Sequence, residues 1–88
     1  MKLVNIGFGN MVAAERVIAV ISPDSAPVKR AVQDSREKGL LIDASFGRST
    51  RSVIVMDSGN LILSALPTDT ISGRISGQNE QEAVSTDE

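Results

Sequence analysis

The chain of 88 residues has no cysteine, histidine, tryptophan or tyrosine, and Phe8 and Phe46 are its only aromatic residues. Without cysteine, neither a disulfide nor a thiolate-bound metal can stabilise a domain near the small end of what folds alone. Without histidine as well, the usual nucleophile–base pairs and most zinc sites are excluded. The acidic residues are scattered along the sequence. We therefore predict a protein that is not an enzyme and needs no metal or cofactor.

Long hydrophobic runs are also missing. No stretch approaches the roughly 20 apolar residues that a membrane helix needs. The N-terminus contains only Lys2 as a base and is interrupted by Asn5 and Gly7, which is unlike a signal peptide. We expect a cytoplasmic protein without a membrane partner.

The net charge of −2 conceals an asymmetry between the two parts of the chain. From Gln78 onward there are four acids and no base, which leaves nine bases and seven acids in residues 1–77, a net charge of +2. We predict a single, mildly basic domain over residues 1–76 and a disordered acidic tail over residues 77–88. A second interpretation of the tail is that it competes for a basic surface on its own protein.

Hydrophobic patterning predicts an α+β fold with the element order β-β-α-β-β-β-α and a small, mostly antiparallel sheet. Ser25 is a suitable N-cap for a main helix over residues 26–38, and Gly39 is suited to end it. Pro67 and Thr68 open a short second helix. The predicted strands cover residues 2–6, 17–21, 40–46, 52–57 and 60–66.

The segment Gly7-Phe8-Gly9-Asn10 allows two interpretations. A Gly-x-Gly sequence after a strand can cradle a phosphate, but the dinucleotide fingerprint needs a third glycine where this chain has Val12. A tight turn that uses glycine for positive φ is favoured.

Apolar residues at successive strand positions suggest that the chain associates with copies of itself. In Val53-Ile54-Val55-Met56, side chains on both faces of the strand are apolar. Two helices of the predicted lengths would not cover both faces of a sheet, and buried apolar area contributes roughly 25 cal/mol per Å². We predict a homo-oligomer in which a sheet face or edge packs against a neighbour. A monomer remains the alternative if the second helix is longer.

A polar, basic segment, Gly47-Arg48-Ser49-Thr50-Arg51, joins two apolar runs. Guanidinium groups and hydroxyls suit phosphate oxygens, so Arg48 and Arg51, with Ser49 and Thr50, are candidate DNA-binding residues. The simpler interpretation is a solvated hairpin loop. Repetition of this loop around an assembly would turn a few weak phosphate contacts into useful binding.

Three further cations are candidates for DNA binding. Arg16 stands at the start of a strand, where a salt bridge to Glu15 or to an acid across the sheet is the simpler interpretation. Lys29 and Arg30 lie on the main helix and contact either DNA or a neighbouring subunit, unless they only form a solvated face.

Four blocks of the chain, taken in order, carry a resemblance to a known family: Asn5-Ile6-Gly7-Phe8-Gly9-Asn10, Ser22-Pro23-Asp24-Ser25-Ala26-Pro27-Val28-Lys29-Arg30, Gly39-Leu40-Leu41-Ile42-Asp43-Ala44-Ser45-Phe46-Gly47-Arg48-Ser49-Thr50-Arg51 and Ile54-Val55-Met56-Asp57-Ser58. They resemble the RemA family of bacterial extracellular-matrix regulatory proteins. The resemblance extends from residue 2 to about residue 75.

The resemblance implies a nucleoid-associated transcriptional regulator that binds double-stranded DNA as a homo-oligomeric ring. It also implies a fold related to LytTR-type DNA-binding domains, and a role in biofilm matrix production or osmotic adaptation. In the family, arginines of the loop that matches residues 47–51 contact DNA, which implies this role for Arg48 and, by proximity, for Arg51. The resemblance also implies that Arg16 is important, and it links the region of Pro27 to activity. A ring-forming RNA- or protein-binding scaffold is the alternative function. The chain departs from the family at Ser49, where a second basic residue is common, and this lowers the charge of each loop.

Overall fold

The computed structural model describes residues 1–77, so nearly all of the predicted acidic tail lies outside the described part. The elements in order are β1 (Leu3–Gly7), β2 (Asn10–Ala13), a 3-10 turn (Ala14–Arg16), β3 (Val17–Ile21), α1 (Ala26–Glu37), β4 (Leu41–Asp43), β5 (Ser52–Met56), β6 (Leu61–Ser64) and α2 (Thr68–Ser76). The predicted α+β class and mostly antiparallel pairing are confirmed. Within residues 1–77 no helix has the length and apolar character needed to cross a membrane.

The main sheet has four strands in the order β3-β5-β6-β4. β5 pairs antiparallel with both β3 and β6, and β4 pairs parallel with β6. β3 and β4 therefore run in the same direction at opposite edges. The connection between them is α1, which crosses one face of the sheet, and its half-buried Val28 and Val32 pack there on Val53, Leu61 and Leu63 of the two central strands.

The second face is covered by elements that the sequence patterning did not fully predict. β1 and β2 form a separate antiparallel hairpin, and β2 was missing from the predicted element order. Val4, Ile6 and Val12 of this hairpin pack with Ile71 of α2 on Ile54 and Ile62 of the main sheet. The prediction of a bare sheet face is therefore wrong, since Val53 and Ile54 point to opposite faces and are both fully buried.

The local signals at helix α1 are confirmed with small shifts. The Ser25 hydroxyl accepts a hydrogen bond from the Val28 amide at 3.3 Å, as an N-cap does. The helix ends at Glu37, one residue before the predicted end, and Gly39 takes a φ of +75° just beyond it. Val28, Ala31, Val32 and Ser35 recur at helical spacing; Val28 and Val32 are half-buried and Ser35 is buried, whereas Ala31 is exposed.

Strand β4 differs most from its prediction. It ends at Asp43 instead of Phe46, and Ile42, predicted to lie in a buried strand, is 49% exposed because β4 is an edge strand. The segment from β4 to β5 is not a hairpin loop. It begins at one edge of the sheet and passes the end of β6, where the Arg51 amide donates to the Ser64 carbonyl at 2.8 Å, before it enters β5.

Candidate nucleic-acid interface

The sheet has two chemically different ends. At the first, which we name the loop end, β3, β4 and β6 finish at Ile21, Asp43 and Ser64 and β5 begins at Ser52. Residues 44–51 cross this end, and both helices begin there. At the opposite end, the turn end, residues 57–60 join β5 to β6. Asn60 donates its side-chain amide to the Leu40 carbonyl at 3.0 Å there, which ties the start of β4 to the turn.

The segment that crosses the loop end starts with a side-chain-stabilised turn. One carboxylate oxygen of Asp43 accepts from the Ser45 hydroxyl at 2.6 Å and from the Ser45 amide at 2.9 Å. These bonds favour the ionised carboxyl, so they lower the pKa of Asp43 below its ordinary value. The turn ends β4 and directs the chain into Phe46, which has a φ of +56° and is 76% exposed.

The tip of the β1–β2 hairpin lies against this segment. Phe8 and Gly9 form its two-residue turn, and both have positive φ, as a type I′ turn requires. The Phe8 ring stacks on the Phe46 ring with centroids 5.0 Å apart and planes inclined by 26°. The turn interpretation of the glycine-rich segment is thus confirmed, and the turn has a second role as the support of an aromatic pair.

Arg48 is placed by the same hairpin tip. Its guanidinium carbon lies 5.7 Å from the centroid of the Phe8 ring, within the range of a cation–π contact. Arg48, Ser49 and Arg51 are exposed. Among residues 1–77, neither Arg48 nor Arg51 forms an ion pair, so both guanidiniums can bind an anion without first giving up a carboxylate.

Thr50 and Arg51 line an open cleft of about 290 Å³. The opposite walls are residues 22–24, which precede α1, and Pro67 and Thr68 at the start of α2. Thr50 is half-buried there, so it is less accessible than a hydroxyl in a free loop. The cleft also contains Asp24, whose carboxylate accepts from the Ser22 hydroxyl at 3.3 Å.

Lys29 and Arg30 belong to the same end of the molecule as the loop. Both are exposed on the first turns of α1, which starts at the loop end, and within residues 1–77 neither forms an ion pair. The topology therefore gathers four of the predicted cations at one end of the sheet.

Arg16 is not part of this group. It lies at the turn end, where its guanidinium pairs with the Asp57 carboxylate at 3.2 Å, so the predicted salt bridge across the sheet is present. Arg51 and Asp57 stand at opposite ends of β5, about 20 Å apart at about 3.3 Å per residue. The Arg16–Asp57 ion pair is largely solvated, and such pairs contribute about 0–1 kcal/mol to stability.

The aromatic pair is the feature that reasoning from the sequence missed. Phe8 and Phe46 are far apart in the chain, so no local pattern indicates that their rings meet. A usable signal was that each ring stands beside glycine in a polar turn, where a large apolar residue is not expected to be buried. In residues 1–77 no cluster of acidic side chains is arranged to hold a metal ion.

Comparison of the sequence with known proteins identifies a family. The family model described as "Extracellular matrix regulatory protein A-like", or RemA-like, matches residues 3–75. The chain belongs to the RemA-like family. Extracellular matrix regulatory protein A of Bacillus subtilis is 54% identical over 80 residues, which cover 91% of this chain and 90% of the relative.

Two further relatives are similarly close. A protein of Dictyoglomus thermophilum, provisionally named a regulatory protein, is 57% identical over 82 residues, covering 93% of this chain and 96% of its own. A protein of Halothermothrix orenii with the same name is 58% identical over 79 residues, which cover 90% of this chain and 94% of the relative. The matched segment contains the loop end, the hairpin tip and both helix starts, so the resemblance that the sequence motifs predicted is confirmed.

Proposed function

We propose that this RemA-like chain is a regulatory protein that binds double-stranded DNA as a homo-oligomeric ring, through the residues 47–51 loop repeated around the assembly. The observation that carries the proposal is the exposed pair Arg48 and Arg51, free of ion pairs within residues 1–77, at the end of the sheet where Lys29 and Arg30 also lie. The names of the relatives support a regulatory role, and that of the Bacillus subtilis relative suggests control of the extracellular matrix. The likeness of fold to LytTR-type DNA-binding domains and a location on the nucleoid remain predictions.

The chemistry of the loop end favours phosphate over base edges. Guanidiniums on a short exposed turn can contact the phosphates on the outside of a duplex. Base readout in the major groove instead uses a helix or a two-stranded ribbon inserted into the groove. Both helices also begin at this end, so the positive ends of their dipoles face the same partner. Binding through backbone contacts gives strong salt dependence and modest sequence preference.

A single copy offers too few phosphate contacts for tight binding, so the mechanism depends on assembly. Since both sheet faces are covered, association is expected at the edges. Ile18 lies where the β3–β5 register shifts, has no cross-strand partner and is 66% exposed, and Ile42 on the opposite edge strand is 49% exposed. A β3 edge of one copy against a β4 edge of the next is a head-to-tail contact, which forms a closed ring when the rotation between copies closes.

A salt titration with duplex DNA tests this function. The double variant Arg48→Ala/Arg51→Ala is expected to bind more weakly and to flatten the log–log salt slope by about 0.9 for each phosphate that the protein no longer neutralises. The assembly mass should not change, because assembly is proposed at the β3 and β4 edges and not through these two side chains. Lys38→Ala, just beyond the end of α1 at the turn end, is the control that removes one exposed cation and should keep most of the slope. A double loop variant that binds like the wild type would disprove the proposal.

The alternative scaffold function also has one supporting observation. An exposed Phe8–Phe46 stack is a surface on which an unpaired base can lie, as in modules that bind single-stranded RNA. Competition between a duplex and a single strand of equal length separates the two functions. Duplex DNA is favoured because only one stacked pair is present, whereas single-strand binders offer successive aromatic platforms.

A further inference from the structure

We propose that Phe46 is a wedge that enters a base step of the bound duplex and bends it, with Phe8 as the support behind the ring and Arg48 as the neighbouring phosphate contact. This inference rests on the proposed DNA-binding function and names how the same loop acts on its partner. It assigns to an aromatic side chain a role separate from the charge of the loop.

The placement of the ring carries the argument. Phe46 is 76% exposed, the largest exposure of any large apolar side chain in residues 2–77, although it follows a turn fixed by two hydrogen bonds to Asp43. Burying this ring in the protein would contribute about 1.5–3 kcal/mol, and its exposed position forgoes that gain. The local backbone also holds Phe46 at a φ of +56°, which L-residues other than Asn and Asp adopt rarely.

Phe8 makes the exposed ring rigid. Its own φ of +55° places it at the hairpin tip, and the 5.0 Å stack with Phe46 occupies one face of each ring. Because the hairpin is fixed to the main sheet by the Ser64 hydroxyl, which donates to the Ile6 carbonyl at 2.8 Å, the support does not move with the loop. A wedge needs this stiffness, since unstacking a base step costs a few kcal/mol.

The charges beside the ring suit a duplex rather than a protein partner. Arg48 lies 5.7 Å from the Phe8 centroid, and Arg51 follows three residues later, so guanidiniums accompany the wedge. Apolar wedges flanked by cations are a recurring arrangement in proteins that bind the minor groove, where insertion kinks DNA by roughly 20–90°. Repeated around a ring, kinks of this kind would let a stiff duplex follow a curved surface.

Fluorescence of 2-aminopurine at TpA steps of a duplex, together with energy transfer between dyes at its ends, tests the wedge. Binding of wild-type protein at saturation should raise the 2-aminopurine fluorescence through unstacking and bring the ends closer. Phe46→Asn keeps a residue that tolerates positive φ and removes the ring; it should abolish both signals and weaken binding about tenfold, while its salt slope and assembly mass stay those of the wild type. Phe46→Leu is the matched control, because leucine is itself a wedge residue, and it should retain part of both signals.

Each other result has a defined meaning. If the duplex bound by Phe46→Asn shows the same 2-aminopurine fluorescence and end-to-end distance as the duplex bound by the wild type, the wedge is disproved. The proposed DNA-binding role of Arg48 and Arg51 is not affected by that result. A fall in assembly mass would instead make Phe46 a subunit contact, and tighter, Phe46-dependent binding of single-stranded RNA would make it a stacking platform; either result overturns the wedge. A wild-type protein that does not bind duplex DNA overturns the proposed function and the wedge together.

Discussion

At the scale of single residues, the loop end depends on short polar side chains that bond to nearby backbone. Ser64 is the clearest case: its buried hydroxyl donates to the Ile6 carbonyl and accepts from the Leu66 amide at 3.0 Å, which fixes the hairpin on the sheet. Asp43 does the same for the turn before Phe46. Such residues are easily overlooked in a sequence because serine and aspartate are common in any solvated loop.

The Asp43 turn gives a pH-dependent prediction. The folded-state pKa of this carboxyl is lowered by its bonds to Ser45, so its contribution to stability is present above the unfolded pKa and is lost as pH falls through the folded value. Lowering the pH from 7 to about 3 should therefore reduce the free energy of unfolding of the wild type more than that of Asp43→Asn, which has no proton to take up. Urea unfolding at each pH measures both. Equal losses in the two proteins would show that the turn is not linked to the ionised carboxylate.

At the scale of elements, local signals predicted what local chemistry determines. Ser25 and Gly39 defined the main helix from the sequence, and the short gap between the predicted strands 52–57 and 60–66 defined the β5–β6 hairpin, because caps and turns are decided by neighbouring residues. β2 was missed because its four residues have only Met11 and Val12 as large apolar side chains. The buried environment of that strand comes from β1 and α2, which no local pattern encodes.

The position of β4 was beyond sequence reasoning for a related reason. Its apolar run looks like a central strand, but its parallel partner β6 lies about 20 residues later in the chain. The candidate loop was found in the sequence from its charges, whereas its contact with Phe8 arises only when the hairpin tip folds against it. Distant pairings of this kind depend on the whole arrangement rather than on composition.

Helix α2 is expected to act as a cover rather than as a free C-terminal extension. Ile71 is fully buried in the core between the hairpin and the sheet, so Ile71→Ala should lower the free energy of unfolding by about 2–5 kcal/mol. Ser72→Ala, on the exposed side of the same helix, is the matched control and should change it by no more than about 0.5 kcal/mol. Urea denaturation measures both. Similar losses for the two variants would mean that α2 contributes through helix formation and not through burial.

At the scale of the whole molecule, the exposed apolar residues of the strands lie on the outer side of the hairpin and on the edges of the main sheet rather than on its faces. Leu3 and Met11 on the outer side of the hairpin are each about half exposed, and Ile18 and Ile42 stand on the two free edges of the main sheet. An edge strand offers unpaired backbone groups as well as apolar side chains, so it suits association in a defined register.

The two free edges give a prediction for the assembly. Ile18→Lys and Ile42→Lys should each lower the mass measured by light scattering toward that of the monomer, because a charge on either edge opposes strand pairing, and circular dichroism should show that the fold is kept. Ala31→Lys on the exposed side of α1 is the control and should leave the mass unchanged. A wild type that is already monomeric at micromolar concentration, or edge variants that keep its mass, would exclude edge-to-edge assembly.

The parallel pairing of β4 with β6 also sets an order of events during folding. β4 is synthesised before β6, yet in the described sheet it has no other partner, so it cannot dock until the hairpin formed by β5 and β6 exists. Residues 44–51, which lead from β4 into β5, are then attached at the β5 side while β4 is still unpaired. We therefore expect the loop end to become ordered late in folding, after the β5–β6 hairpin against which β4 pairs.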